Sequence, residues 1–253
     1  MSKLFQTLFV LLAISSQANA STVKSLQHLD NNKLLPFSQP DPRNSQPHNL
    51  AGLFSLKEYQ SSYVKQPYND FDLLYQKAIG AQAELEAITQ QIALKTNAYT
   101  VSSGVKSKQR AVRKIALKHD NRSDQITDLV RTSIVAQEIS VLMNSFELLA
   151  QQGQLVRIKN RFINPNISGY RDLSILLRLP ESGLIAEVQL HLEAFSAIKN
   201  GKEHDNYEQI QHIQRLQLSE NRTLSEIEQA SINKLRRESQ QMYQQAWNQY
   251  LSA

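Results

Sequence analysis

Residues 168–192, SGYRDLSILLRLPESGLIAEVQLHL, hold two alternating apolar runs joined by Pro-Glu-Ser-Gly. Alternation of this kind sends successive side chains to opposite faces of a strand. One face of the first run carries Tyr170, Asp172, Ser174 and Arg178, and one face of the second carries Glu187, Gln189 and His191. A turn centred on Glu181-Ser182 sets Ser174 against Gln189 and Asp172 against His191, so the polar residues share a surface. Just upstream, RIKNRF adds Lys159 and Arg161. Farther back, the block 105–122 holds seven Lys/Arg against a single Asp120. A solvated sheet face and a solvated helix face would also read as polar and basic. Carboxylates among a surplus of cations, however, suit a site where Mg²⁺ and phosphates meet, with hard oxygens holding the metal and Lys/Arg holding the phosphates.

The elements that must position these residues follow from periodicity. Leu74, Ala78, Ala81, Leu85, Ile88 and Ile92 recur at spacings of four and three, which predicts a helix with Asp70 or Asp72 as its cap. The basic block reads as a shorter helix, Ala111 and Ile115 inward, Arg110, Lys114 and Lys118 stacked outward. The β-branched stretch 126–135 predicts a strand introduced by Asp128. Helical spacing returns over 137–152, and 155–162 reads as a strand leading into the hairpin strands 170–179 and 184–192. The Gln- and Glu-rich stretch 206–251 reads as helical, with Leu224, Ile227, Leu235, Met242 and Trp247 as contacts. This order predicts an α+β (or α/β) domain, a small mixed sheet covered by helices.

At 253 residues, 41% of them hydrophobic and 20% charged, the chain has the composition of a globular protein. It has no cysteine, which excludes disulfides and thiolate chemistry. The start, MSKLFQTLFVLLAISSQANA, pairs Lys3 with a short apolar run and ends in Ala18-Asn19-Ala20. We read 1–20 as a secretory signal, with an N-terminal anchor as the alternative. Residues 21–70 are rich in Asn, Gln, Ser and Pro and read as a linker or extended arm.

GYRDLSILLRL followed by AEVQLHL resembles the nucleotide-binding core of the RelA/SpoT alarmone synthetase family, in which a Gly-Tyr strand precedes a strand reading Glu-hydrophobic-Gln. GVKSKQRAVRKI is similar to that family's basic ATP-binding helix, and DLVRTSIV to its Asp-bearing strand. RIKNRFINPNISGY resembles the loop leading to the guanine-stacking Tyr, and EHDNY the later His-x-x-Tyr. The resemblance covers about 71–215, leaving 216–253 as a C-terminal helical extension.

The resemblance implies a nucleotidyltransferase-like synthetase fold and a pyrophosphokinase site. Asp128 and Glu187 would hold Mg²⁺, with Glu187 also the base for an acceptor ribose 3′-hydroxyl attacking the β-phosphorus of ATP. Lys106, Arg110, Lys114 and Arg131 would meet the ATP phosphates, and Lys159 and Arg161 those of the acceptor. Tyr170 would stack on the acceptor base, with Gln189 and His204 supporting the site. Both acids are expected to be dispensable for folding, since solvated carboxylates contribute little to stability.

Four positions depart from the family pattern: Gly104 where an Arg is usual, Asn166 for Lys, Ser174 for His and His191 for Arg. They fall mostly on the acceptor side, which leaves the acceptor open between a guanine nucleotide and another nucleotide or RNA. Together with the leader, the pattern points to an exported effector or toxin. The alternatives are an inactive nucleotide- or RNA-binding module and a structural exported protein.

Overall fold

The computed structural model describes residues 47–252; the segment 1–20 read as a secretory signal and most of the stretch read as a linker or extended arm lie outside the described residues. Helix α1 (Leu50–Ser55) and strand β1 (Tyr59–Gln60) open the described part. They are followed by α2 (Phe71–Thr96), β2 (Tyr99–Ser102), α3 (Lys108–Lys118), β3 (Arg131–Ala136) and α4 (Ile139–Ala150). Strands β4 (Gln154–Asn160), β5 (Leu173–Arg178) and β6 (Ile185–Leu192) come next. Three helices end the chain: α5 (Glu193–Lys199), α6 (Lys202–Ser219) and α7 (Glu226–Leu251).

The strands form one mixed sheet in the order β1-β4-β5-β6-β3-β2, in which β3 runs parallel to β6 and the other pairs are antiparallel. Strand β5 faces β6 with Ser174 opposite Gln189, the register the hairpin pattern predicts. A one-residue slip would exchange the two faces of both strands, so the apolar side enforces this register. Ala186, Val188, Leu190 and Leu192 enter the main core with Leu85 of α2 and Leu142 and Leu149 of α4. The opposite face carries the polar groups beside a small apolar cluster of Val156, Leu176 and Ile185.

Helix α2 follows its stripe. Leu74, Ala78, Ala81, Leu85 and Ile92 are buried, and Asp70 caps the start by accepting from the Leu73 N–H at 2.7 Å. It stops at Asn97, which takes the left-handed conformation with φ 59° that Asn tolerates.

Several sequence expectations are corrected. Within the stretch read as a linker or extended arm, Tyr59 and Gln60 pair with Ile158 and Arg157 at the edge of the sheet, a strand that the sequence reading did not place. Strand β3 begins at Arg131, so Asp128 precedes it in a buried, non-strand lead that contains Leu129 and Val130. The 206–251 stretch is two helices. Asn221 turns left-handed at φ 47°, and Arg222 pairs with Glu220 and Glu228 on either side of the break. Ser225 and Glu228 then form a capping box that starts α7. Helix α7 packs on the body: Tyr243 and Trp247 lie on Phe195, and Trp247 also on Phe162.

Candidate active site

The polar face of the sheet opens into a cleft of about 840 Å³, within the range of small-molecule sites. Its floor comes from β3 and β6. Arg131 and Glu187 are parallel partners there, as are Ser133 and Gln189. Both strands start where neighbouring strands give out, and two glutamines replace the missing partners. Gln82 of α2 accepts from the Arg131 N–H at 3.1 Å and donates to its carbonyl at 3.0 Å. Gln66 accepts from the Ile185 N–H at 2.9 Å and donates to the carbonyls of Ile126 and Ile185. Each side-chain amide mimics a peptide, satisfying groups whose burial unpaired would cost stability.

Glu187 lies at the centre of this floor. The Ser174 hydroxyl donates to it at 3.2 Å. Arg131 and Arg161 line the same cleft, and the charge of Glu187 acts on the half-buried Arg157 and on Lys199. The Lys199 ammonium donates to Gln189 at 3.0 Å. Burial lowers the pKa of both Arg157 and Lys199, with Glu187 working against that shift.

Behind the floor lies a buried network. Arg161 grips Asp172 with two hydrogen bonds, 2.6 and 3.2 Å, and the Tyr170 hydroxyl donates to the same carboxylate at 2.7 Å. That hydroxyl is also 2.6 Å from His191 Nε2. Since the phenol's one proton goes to the carboxylate, Nε2–H of His191 must donate to the phenol oxygen. Nδ1 is then a bare lone pair, and it is buried without a partner. Burial, helped by the charges of Lys199 and Arg161, holds His191 well below its usual range. Burial likewise raises Asp172, against the pull of Arg161, and raises Tyr170 well above the ordinary phenol value, with Asp172 adding to the effect.

A third group stands beside the cleft. Asp128 Oδ2 accepts from Lys114 at 2.8 Å and from Lys106 at 3.1 Å. Burial pushes the Asp128 carboxyl up, and the two lysines more than offset it, leaving the pKa lowered. Lys106 is itself lowered by burial, an effect only partly offset by Asp128. Asp128 Oδ1 is buried with no partner.

The structure therefore brings Arg110, Arg131, Arg161, Tyr170, Glu187, Gln189 and His204 to one cleft. Asp128, Lys106 and Lys114 form their own cluster outside its lining, and exposed Lys159 also lies outside it. Tyr170 is not an open platform. It is 8% exposed, and its ring is edged by His191 and Tyr243, with Arg161 and Lys199 within 6 Å of its centroid. Sequence reasoning missed Arg157, Lys199 and Arg236. Arg157 was in reach, since it shares its strand face with Lys159 and Arg161. Lys199 and Arg236 sit on helices with no distinguishing pattern.

No family model matches the sequence. One curated relative, the (p)ppApp synthetase toxin Tas1 of Pseudomonas aeruginosa (strain UCBPP-PA14), is 27% identical over 121 residues, 48% of this chain. That match spans only 27% of the relative's own length. Among solved structures, the complex of the Type VI effector Tas1 with its immunity protein superposes with a TM-score of 0.51 and 20% identity, covering 69% of this chain and 96% of the other. The fold is that of the RelA/SpoT-type alarmone synthetases. Small alarmone synthetase 2 from Bacillus subtilis is also similar, with a TM-score of 0.48 and 20% identity over 71% of this chain and 92% of that one. Within the alarmone synthetase fold, this chain places a buried Asp172–Tyr170–His191 network behind its central carboxylate. No helix among the described residues is long and apolar enough to cross a membrane.

Proposed function

We propose that the chain is a nucleotide pyrophosphokinase that transfers the β,γ-pyrophosphate of ATP to the 3′-hydroxyl of an acceptor nucleotide. The observation that carries this reading is one accessible carboxylate, Glu187, set in a cleft among Arg110, Arg131, Arg161 and Lys199. Phosphoryl-type transfer asks a protein for alignment and charge neutralisation more than for covalent chemistry. Arg110 and Arg131 bind the triphosphate, while Arg161 and Lys199 bind acceptor phosphates. Glu187 takes the proton as the 3′-oxygen bonds to the β-phosphorus. The α–β bridging bond breaks, and AMP leaves with its electron pair.

The residues present fit Mg²⁺. Asp128 Oδ1 is a hard oxygen buried without a partner, and Glu187 supplies a second carboxylate as the strand partner of Arg131, three residues on from Asp128. Among the described residues no cluster of three or more His, Asp or Glu exists that could cage a metal. Mg²⁺ does not need one, since it is usually held by one or two carboxylates with substrate phosphates and water. When bound, the ion would neutralise charge on the phosphates.

The acceptor side departs from the family pattern at Asn166, Ser174 and His191. The relative's name as a (p)ppApp synthetase puts adenine nucleotides beside guanine nucleotides and RNA as acceptors to try. That relative is also named a toxin, which agrees with our reading of this chain as an exported effector. Exported protein should begin near Ser21, and N-terminal sequencing of exported protein that still finds Lys3 would defeat cleavage after Ala20.

The test of activity is incubation of the protein with γ-labelled ATP, Mg²⁺ and a panel of adenine and guanine nucleotides and tRNA. Label on an acceptor, with AMP released in equal amount, is expected. Glu187→Gln should abolish transfer without changing the melting temperature. Activity that survives this substitution would overturn the mechanism, and absence of transfer to every acceptor would leave a binding module.

A further inference from the structure

The cleft is bounded on one side by α6, an 18-residue helix with two buried residues, Glu203 and Asn206. These hold it to the body through polar contacts: Tyr243 donates to Glu203 at 3.2 Å, and Asn206 meets Ser239 at 3.4 Å. The face of α6 toward the cleft carries His204, Tyr207, Gln211 and Gln214, whose spacings of three and four put them on one side of a helix. Tyr207 is 53% exposed there, and among the described residues it has no hydrogen bond, ring contact or cation contact. The other two tyrosines of the lining are committed. Tyr170 is enclosed as described, and Tyr243 stacks on Phe195 while bonding to Glu203. A large aromatic face left open in a cationic cleft has a ready use, because every nucleobase presents a π-face and stacks on aromatic side chains irrespective of sequence.

We infer that Tyr207, rather than Tyr170, is the platform on which the acceptor's base stacks, with the amides of Gln211 and Gln214 along the base edge. The inference rests on the pyrophosphokinase reading for the word acceptor, and on the structure alone for the word base. The acceptor end is indicated by connectivity. One turn before Tyr207, Glu203 is tied to Tyr243, Tyr243 packs on Tyr170 at 5.7 Å, and Arg161 lies 5.6 Å from the Tyr170 ring. Arg110, on the donor side, comes instead from α3. Gln211 donates to Gln214 at 3.2 Å, so the two amides already form a paired donor–acceptor edge. Amide side chains of this kind match purine edges that offer one donor and one acceptor.

The experiment compares wild type, Tyr207→Ala, Tyr207→Phe and Tyr170→Phe. Calorimetry measures the binding of ATP and of each panel nucleotide, and labelled transfer gives the acceptor KM. Tyr207→Ala should weaken acceptor binding by at least about fivefold, the lower end of what one base–aromatic stack contributes, while Tyr207→Phe stays within twofold of wild type. Tyr170→Phe keeps the ring and should not reproduce the Tyr207→Ala loss. Acceptor affinity unchanged in Tyr207→Ala, or lowered equally in Tyr207→Phe, overturns the platform. A wild type that binds nucleotide but transfers nothing defeats the pyrophosphokinase reading alone, and the Tyr207→Ala loss of binding still decides this one. A wild type that binds no nucleotide overturns both.

Discussion

Side chains of the same type serve different ends here, according to what surrounds them. Glu187 faces the cleft, whereas Asp128 is pinned by two ammonium groups. The expectation that either acid could be removed without harm to the fold is corrected for Asp128, because it is a half-buried ion-pair centre and not a solvated carboxylate. Asp128→Asn should destabilise the protein by about 3 kcal/mol, the scale for breaking a buried pair and leaving its partners uncompensated. Denaturant unfolding of the variant measures this, and a loss below about 1 kcal/mol would show that the cluster is solvated in solution. His191 supports a prediction of opposite character. It faces Tyr170, Asp172, Arg161 and Lys199, and its folded pKa is depressed by burial first. Below its ordinary value of about 6.5 the unfolded chain therefore binds a proton that the folded chain refuses, so stability falls as pH falls. The slope from this group approaches about 1.4 kcal/mol per pH unit below that point. Unfolding midpoints at pH 7.5 and 5.5 should diverge in wild type and move together in His191→Gln; an unchanged divergence would place the acid sensitivity elsewhere.

Individual elements show where sequence was informative. The α2 stripe and the β5–β6 register were legible because burial on one face leaves a periodic signal that few alternatives can satisfy. The two-residue β1 and the four-residue β2 were not, being too short to show a period. Lys106 and Lys114, four residues to either side of Arg110, read as phosphate ligands through the resemblance of GVKSKQRAVRKI to a basic ATP-binding helix. Nothing in that spacing could reveal that Asp128, which precedes the next strand, occupies both of them. The amide clamps were equally hidden, since a glutamine that imitates a strand looks like any other glutamine. Gln82 supports both backbone groups of Arg131, so Gln82→Leu should leave two peptide groups short of partners at about 1–3 kcal/mol. It should also loosen Arg131 and raise the KM for ATP. Thermal melts and ATP titration of this variant test the two effects together. A stable variant with normal ATP affinity would mean that water replaces the amide without loss.

Across the whole molecule, the polar face gains its depth from what packs around it. Helices α5 and α7 enclose Phe162, Phe195 and Trp247, and Arg171 lies over the indole at 5.2 Å. Trp247→Ala should cost about 3–5 kcal/mol, read as a lowered unfolding midpoint; a change under about 1 kcal/mol would mean that α7 is not integral to the core. The same arrangement bears on how the chain comes to be folded. Partners that complete the core are far apart in order of synthesis: β1 waits for β4, and Phe162 and Phe195 wait for Tyr243 and Trp247. Each such closure must offset its loop entropy before it is rewarded. A growing polypeptide of this design cannot close the aromatic part of its core over Phe162 and Phe195 until α7 has emerged, and that part stays threadable until then.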